Sequence, residues 1–182
     1  MPDEAHPTRK ALLDAGLELA DSGSLLGMSV DVIVAQARVA KGTFYVHFKD
    51  RAGYFVALHQ YFHEQLRDAV RVASAGQARG APRLRASTVA YLDACLDARG
   101  VKAMLLEARG EPAVAHEVAA SNERFAAAAA ADFALLGFAH PADTARLFVA
   151  MVAETALLEL AKGKRRPTLR TALWELGRLA RS

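Results

Sequence analysis

The sequence predicts an all-α protein: an amino-terminal three-helix unit followed by a larger helical portion. Three observations point there. Apolar residues make up 53% of the 182 positions, with Ala and Leu prominent and strand-like alternation scarce. The apolar residues recur every three or four positions, the period of a helix with one buried face. Gly and Pro fall between the periodic stretches, where helices end or begin.

The first helix should begin near Thr8 and run to Asp21 or Ser22, with Gly23 ending it. Leu12, Ala15, Gly16 and Leu19 share one face, which Leu13 and Ala20 widen, and this stripe should pack on Ile33 and Phe44. Residues 23–28 read as a loop with Leu25, Leu26 or Met28 tucked beneath it. Arg9 and Lys10, ahead of the first buried position, are exposed bases that could reach a phosphate.

Residues 29–51, SVDVIVAQARVAKGTFYVHFKDR, are where residue order asks for a particular job. Ser29 can cap a helix over 30–37, in which Val30, Ile33, Val34 and Ala37 face a core. A break follows at Arg38 and Val39. A second short helix then carries Lys41, Gly42, Thr43, Tyr45 and His47 outward while Val39, Phe44 and Phe48 point inward. Two helices joined by a tight turn, the second bearing small and hydrogen-bonding groups, form a helix-turn-helix. A helix enters the DNA major groove only if its leading side chains are short and its flanking ones can reach phosphate. Gly42 and Thr43 meet the first condition, and Lys41, Tyr45, His47 and Lys49 meet the second. Ser29 and Ala40, at the starts of the two helices, complete the candidate DNA-binding set.

These residues resemble the DNA-binding domain of the TetR family of transcriptional regulators. The resemblance rests on Ser29, Val30, Ile33, Ala37 and Val39, the unbroken run Lys41-Gly42-Thr43-Phe44-Tyr45, and His47-Phe48, and covers about the first third of the chain. Three positions depart from the family pattern. Val34 stands where Ala is usual, Arg38 where Gly usually takes a left-handed turn, and Ala40 where Ser usually caps the second helix. A side chain held at positive φ costs about 1–2 kcal/mol, and Ala at an N-cap forgoes about 1 kcal/mol.

Charge alone does not announce nucleic acid, since the formal net charge is only +3. Distribution matters more: between positions 38 and 51, Arg38, Lys41, Lys49 and Arg51 face one acid, Asp50. The amino-terminal residues lack the apolar segment of a signal peptide, and no apolar run is long enough for a membrane span, so a cytoplasmic protein with no membrane partner is expected. A lone cysteine, Cys95, can form no internal disulfide, which suits a reducing compartment.

A fourth helix should run from Asp50 to about Val72, burying Tyr54, Leu58, Tyr61, Phe62 and Leu66. In the resembled family this connecting helix carries the signal from ligand to DNA-reading helices. His59 and His63 lie four apart, as two metal ligands on a helix would, but Gln60 occupies the place of a general base in the zinc-protease pattern. Two core-edge histidines are the plainer reading, and neither metal nor cofactor is expected. Residues 74–82, SAGQARGAP, form the best internal linker. The next helix buries Leu84, Thr88, Tyr91, Leu92 and Cys95 and should be stopped by Arg99 and Gly100. A short helix over 101–108 carries Met104 and Leu105, and Pro112 opens a longer one that should end at Leu136, before Gly137.

The last two helices should begin after His140 and Pro167. Leu147, Met151, Thr155 and Leu158 form the main stripe of the first, broadened by Phe148 and Val152; Leu169, Leu173, Leu176 and Ala180 mark the second. Between them Lys162, Lys164, Arg165 and Arg166 make a basic turn, either a solvated loop or a second DNA contact. Both helices carry apolar residues on more than one face, so each needs two partners. The resemblance implies how that need is met: a homodimer through these two helices, binding palindromic operator DNA.

The expected organisation is a helix-turn-helix domain at 1–51 and a helical ligand-binding and dimerisation domain at 52–182. Candidate ligand-binding residues are Tyr61, Phe62, Tyr91, Cys95, Met104, Phe125 and Phe133, which would line an aromatic cavity suited to a small apolar effector. The expected function is a ligand-responsive transcriptional regulator, most simply a repressor released by that effector. The alternative is a helical ligand carrier or adaptor with a degenerate helix-turn-helix. The sequence lacks a G-x-S-x-G elbow, a phosphate loop and a paired-cysteine zinc site, so no catalytic residue is assigned.

Overall fold

The computed structural model describes residues 7–22, 28–107, 110 and 112–176. Among them are nine α-helices and no strand: α1 (Pro7–Ser22), α2 (Val30–Ala37), α3 (Lys41–His47), α4 (Arg51–Ser74), α5 (Ala81–Asp97), α6 (Arg99–Glu107), α7 (Pro112–Leu135), α8 (Pro141–Lys162) and α9 (Pro167–Leu176). Proline opens α1, α7, α8 and α9, at the first helical position, where its missing N–H leaves no bond unmade. The helices build two compact units. One takes the described residues up to Gln65 together with Ala98–Ala119; the other takes Leu66–Asp97 and the described residues from Ala120 onward.

The first unit contains the whole helix-turn-helix. Its core joins Leu12, Leu13 and Ala15 of α1, Ile33 of α2, Phe44 of α3 and Tyr54, Phe55 and Leu58 of α4, all buried. Met28 is buried ahead of α2, whereas Gly23, Leu25 and Leu26 lie outside the described residues. The Tyr54 hydroxyl donates to the Leu12 carbonyl at 2.8 Å, satisfying a polar group that burial would otherwise leave costly. Gly16 lies directly beneath that hydroxyl, and a Cβ there would collide with it. Gln36 of α2 donates to Glu18 of α1 at 2.7 Å.

Arg99 and Gly100 do not stop α5; they are the first turn of α6, which packs against α1. The break falls at Ala98, whose carbonyl accepts from the Lys102 N–H at 3.0 Å, and burial of Val101 keeps Gly100 inside helical geometry. Tertiary packing here overrides the low helix propensity of glycine.

In the second unit two buried carboxylates organise the helices. Asp132 of α7 accepts from the Gly80 N–H at 2.8 Å and pairs with Arg83 at 2.7 Å, tying the turn before α5 to α7. Glu159 of α8 takes Arg170 of α9 at 2.6 Å and the Arg166 N–H at 2.8 Å, while Arg170 also reaches Asp93 of α5 at 2.7 Å. This network fixes the rotation of α8 and corrects its expected stripe. Phe148, Val152, Thr155, Ala156 and Glu159 face the core, whereas Leu147 is 68% and Leu158 37% exposed. Gly163 ends α8 at φ 62°.

Candidate functional site

Helix α3 is held by its inward side chains. Phe44 and Phe48 are 0% and 4% exposed, and with Tyr54 they form an aromatic cluster with ring centroids 5.0–5.4 Å apart. Such pairs add about 0.5–1.5 kcal/mol each beyond their buried area. The capping that precedes α3 is as the sequence implies. Ser29 Oγ accepts from the Val32 N–H at 3.3 Å, so α2 starts capped. Arg38 ends α2 in the left-handed conformation at φ 56°, ψ 42°, the only non-Gly residue at positive φ among those described. Its N–H bonds the Ala35 carbonyl at 3.2 Å and that of Val39 bonds Val34 at 3.0 Å, the reciprocal pattern of a helix terminus that glycine usually supplies. Ala40 starts α3 without a side-chain cap.

Outward from α3 come Lys41, Gly42, Tyr45 and Val46, all exposed, with Thr43 and His47 half-buried beside them; Ser29, Ala40 and Lys49 are exposed around this face. Val46 is the residue that sequence reading missed. It is 79% exposed, a large apolar group on the outer side of a short helix that its own chain does not cover. Its signal was its place between Tyr45 and His47, out of phase with Phe44 and Phe48.

The local charge is more committed than the sequence implies. Lys41 Nζ lies 2.8 Å from Asp31 Oδ1 of α2, and the hydrogen bond to that carboxylate raises the Lys41 pKa. Arg51, though exposed, is engaged within its own unit: its Nε donates to the Met28 carbonyl at 3.0 Å and its guanidinium lies 4.7 Å over the Phe55 ring. Arg9 lies 5.5 Å over Phe48, and Lys10 pairs with Asp14 at 2.6 Å. Lys41 and Lys49, toward either end of α3, stay exposed. In the later basic turn, Arg165 pairs with Asp93 at 2.7 Å.

Residues 12–58 match the family described as Bacterial regulatory proteins, tetR family. The match covers the amino-terminal segment, and the likeness in fold extends along the chain. Solved structures agree with the TetR-family fold along the chain. A TetR-family transcriptional regulator from Rhodococcus sp. superposes with a TM-score of 0.78 at 20% identity, covering 93% of this chain and 96% of that one. A transcriptional regulator from Pseudomonas aeruginosa PAO1 gives 0.74 at 19% identity, over 91% and 85%. The multidrug binding protein EbrR, complexed with imidazole, gives 0.70 at 22% identity, over 94% and 95%. No curated protein matches the sequence. The family is one of bacterial regulatory proteins, and the Rhodococcus and Pseudomonas neighbours are transcriptional regulators, not enzymes.

The expected ligand-binding residues divide between the units. Tyr91 and Phe125 come together in the second unit, ring centroids 5.5 Å apart, and line a mostly apolar hollow of about 70 Å³ with Leu84, Thr88, Asn122 and Phe148. Cys95 and Phe133 are buried in the same unit without lining it. Tyr61 and Phe62 belong to the first unit, where the Tyr61 hydroxyl donates to Asp14 at 2.7 Å. Burial pushes the Tyr61 phenol up, and that hydrogen bond adds to the rise. Met104 lies outside the residues whose side chains are described.

His59 and His63 are both buried and stack with ring centroids 4.1 Å apart. Among the described residues no cluster of three or more His, Cys, Asp or Glu is placed to hold a metal. No helix among those residues is long and apolar enough to cross a membrane.

Proposed function

We propose that this chain is a homodimeric, ligand-responsive repressor that reads palindromic operator DNA in the cytoplasm through α3 and is released by a small effector. One observation carries the reading. Gly42 stands on the exposed face of α3 with nothing within 4 Å of where its Cβ would be, so the chain's own packing makes no demand for glycine there. Glycine inside a helix costs about 1 kcal/mol. A surface that must approach another body closely accounts for bearing that cost.

In this reading Lys41, Lys49 and Tyr45 meet phosphates, with Ser29 and Ala40 bringing backbone close to the sugar-phosphate ridge. Thr43 and His47 offer hydrogen bonds, and Val46 offers an apolar contact to a thymine methyl group. Leu147, Met151 and Leu158 lie on one face of α8, and Leu147, Leu158 and Leu176 of α9 are exposed. Their burial against a second copy supports a two-fold dimer, whose two reading helices would enter successive major grooves about 34 Å apart. Residues 1–51 then bind DNA, while 52–182 bind effector and partner. Tyr91 and Phe125, which line the hollow of the second unit, are the residues the effector meets; that the chain binds a small molecule is supported by its likeness in fold to EbrR, a multidrug binding protein complexed with imidazole.

An electrophoretic shift with the DNA upstream of the chain's own gene tests the proposal. The protein should retard that fragment, and Lys41→Ala with Tyr45→Ala should abolish the shift; no retardation, or retardation untouched by the substitutions, would overturn it.

A further inference from the structure

Helix α3 has two unlike faces. Phe44 stands midway between Gly42 and Val46 in the chain, so it points inward while those two share the opposite side, one turn apart. Gly42 has nothing within 4 Å of where its Cβ would be. Val46 is the most exposed large apolar side chain among the described residues. A helical Cα–Cβ bond tilts toward the amino terminus, so the Val46 methyl groups lean back over the bare backbone at Gly42. The branched side chain is stiff at χ1, and little freedom is lost when something covers it.

A lone exposed valine is ordinary. A valine leaning over a glycine that costs helix stability is a different arrangement, because the missing side chain lets a second body reach the methyl groups from above. In the regulator reading that body is DNA, with Lys49 and the Asp31-paired Lys41 exposed toward either end of the same helix. The major-groove edges of the bases present hydrogen-bond donors and acceptors, and the one apolar group among them is the C5-methyl of thymine.

We propose that Val46 is a specificity-determining residue and that the group it reads is the C5-methyl of a pyrimidine. In each half of the operator a thymine supplies that methyl group; 5-methylcytosine supplies the same contact, whereas uracil and unmodified cytosine do not. The proposal rests on the regulator reading above and deepens it, from DNA binding in general to the chemical group that sets the preference. Burying one methyl group is worth about fourfold in affinity.

Uracil interference on the DNA upstream of the chain's own gene tests this. Thymine is replaced sparsely by uracil, and fragments retained by the full chain are compared with those left free. With the parent protein, uracil should be depleted from the retained fraction at matching positions in two symmetric halves. With Val46→Ala those positions should lose their effect, while circular dichroism matches the parent because the truncated side chain is exposed. Duplexes remade at that position should bind the parent about fourfold more tightly, for each half, with thymine than with uracil and with 5-methylcytosine than with cytosine. Both ratios should fall to about one with Val46→Ala. Equal binding of thymine and uracil duplexes by the parent, or a uracil pattern that Val46→Ala leaves intact, would overturn the proposal while leaving a DNA-binding regulator standing. If the parent retains no fragment, the regulator reading falls and this proposal with it.

Discussion

Lys41 and Asp31 face each other across the turn of the helix-turn-helix, nitrogen to oxygen 2.8 Å, with both side chains more than half exposed. The cation proposed to meet a phosphate therefore carries its own counter-charge, which DNA in the proposed complex must displace or tolerate. Asp31→Asn removes that competitor and one negative charge from the approaching surface. Affinity for DNA should rise about three- to tenfold at low salt, the effect of one unit charge near phosphates in a medium close to water. Fluorescence anisotropy at two salt concentrations checks this, and the gain should shrink at the higher one.

Gly42→Ala should separate stability from function. The added methyl group meets open space and replaces the poorer helix former, so the protein should gain about 1 kcal/mol in urea unfolding. The same methyl group stands on the face proposed to approach DNA, and binding should weaken about tenfold or more, as a displaced helix gives up roughly one base contact. Weaker folding or unchanged DNA binding would count against the role given to this residue.

Gly16→Ala should act in the opposite sense. Its Cβ would collide with the Tyr54 hydroxyl, which is fully buried and bonded to Leu12, so neither side can give way cheaply. Overpacking of this kind costs about 1–3 kcal/mol. Tyr54→Phe in the same chain removes the colliding oxygen, and the double variant should recover part of the loss in a thermodynamic cycle.

The Glu159–Arg170 network predicts acid sensitivity. Burial pushes the Glu159 carboxyl up, but the hydrogen bonds from Arg170 and from the Arg166 N–H outweigh it and hold the group below its ordinary value of 4.5. A depressed carboxyl contributes stability that is fully present above its unfolded pKa and is lost as pH falls through its folded one. The loss should therefore begin below 4.5. Glu159→Gln should cost about 3 kcal/mol near neutral pH, because it leaves Arg170 with only Asp93. The gap between variant and parent should narrow in acid, as read by urea unfolding monitored at Trp174.

What the sequence makes legible and what it does not divide by the range of the interaction. The Ser29 cap, the left-handed Arg38, the uncapped Ala40 and the inward Phe44 and Phe48 all follow from rules that operate within a few residues, and the structure has each of them. The Lys41–Asp31 pair spans ten positions and belongs to neither apolar stripe, so nothing in the pattern announces it. The rotation of α8 escapes the pattern because 147, 151 and 158 repeat as regularly as 148, 152 and 159. Only the distant Arg170 and Asp93 choose between the two faces. Tyr91 and Phe125 are recognisable as aromatic positions on predicted helices, but the residues that line their hollow come from α4, α5, α7 and α8, and a cavity is a property of what those helices leave unfilled.

The most direct measurement is the salt dependence of binding to the DNA upstream of the chain's own gene, for the parent protein and for Lys41→Ala. If each subunit of a dimer places Lys41 on a phosphate, the slope of log affinity against log salt should become shallower by about 1.8, or about 0.9 for each phosphate that Lys41 no longer neutralises. An identical slope in parent and variant, or no salt-dependent binding in either, would contradict the claim that α3 is the DNA-reading element.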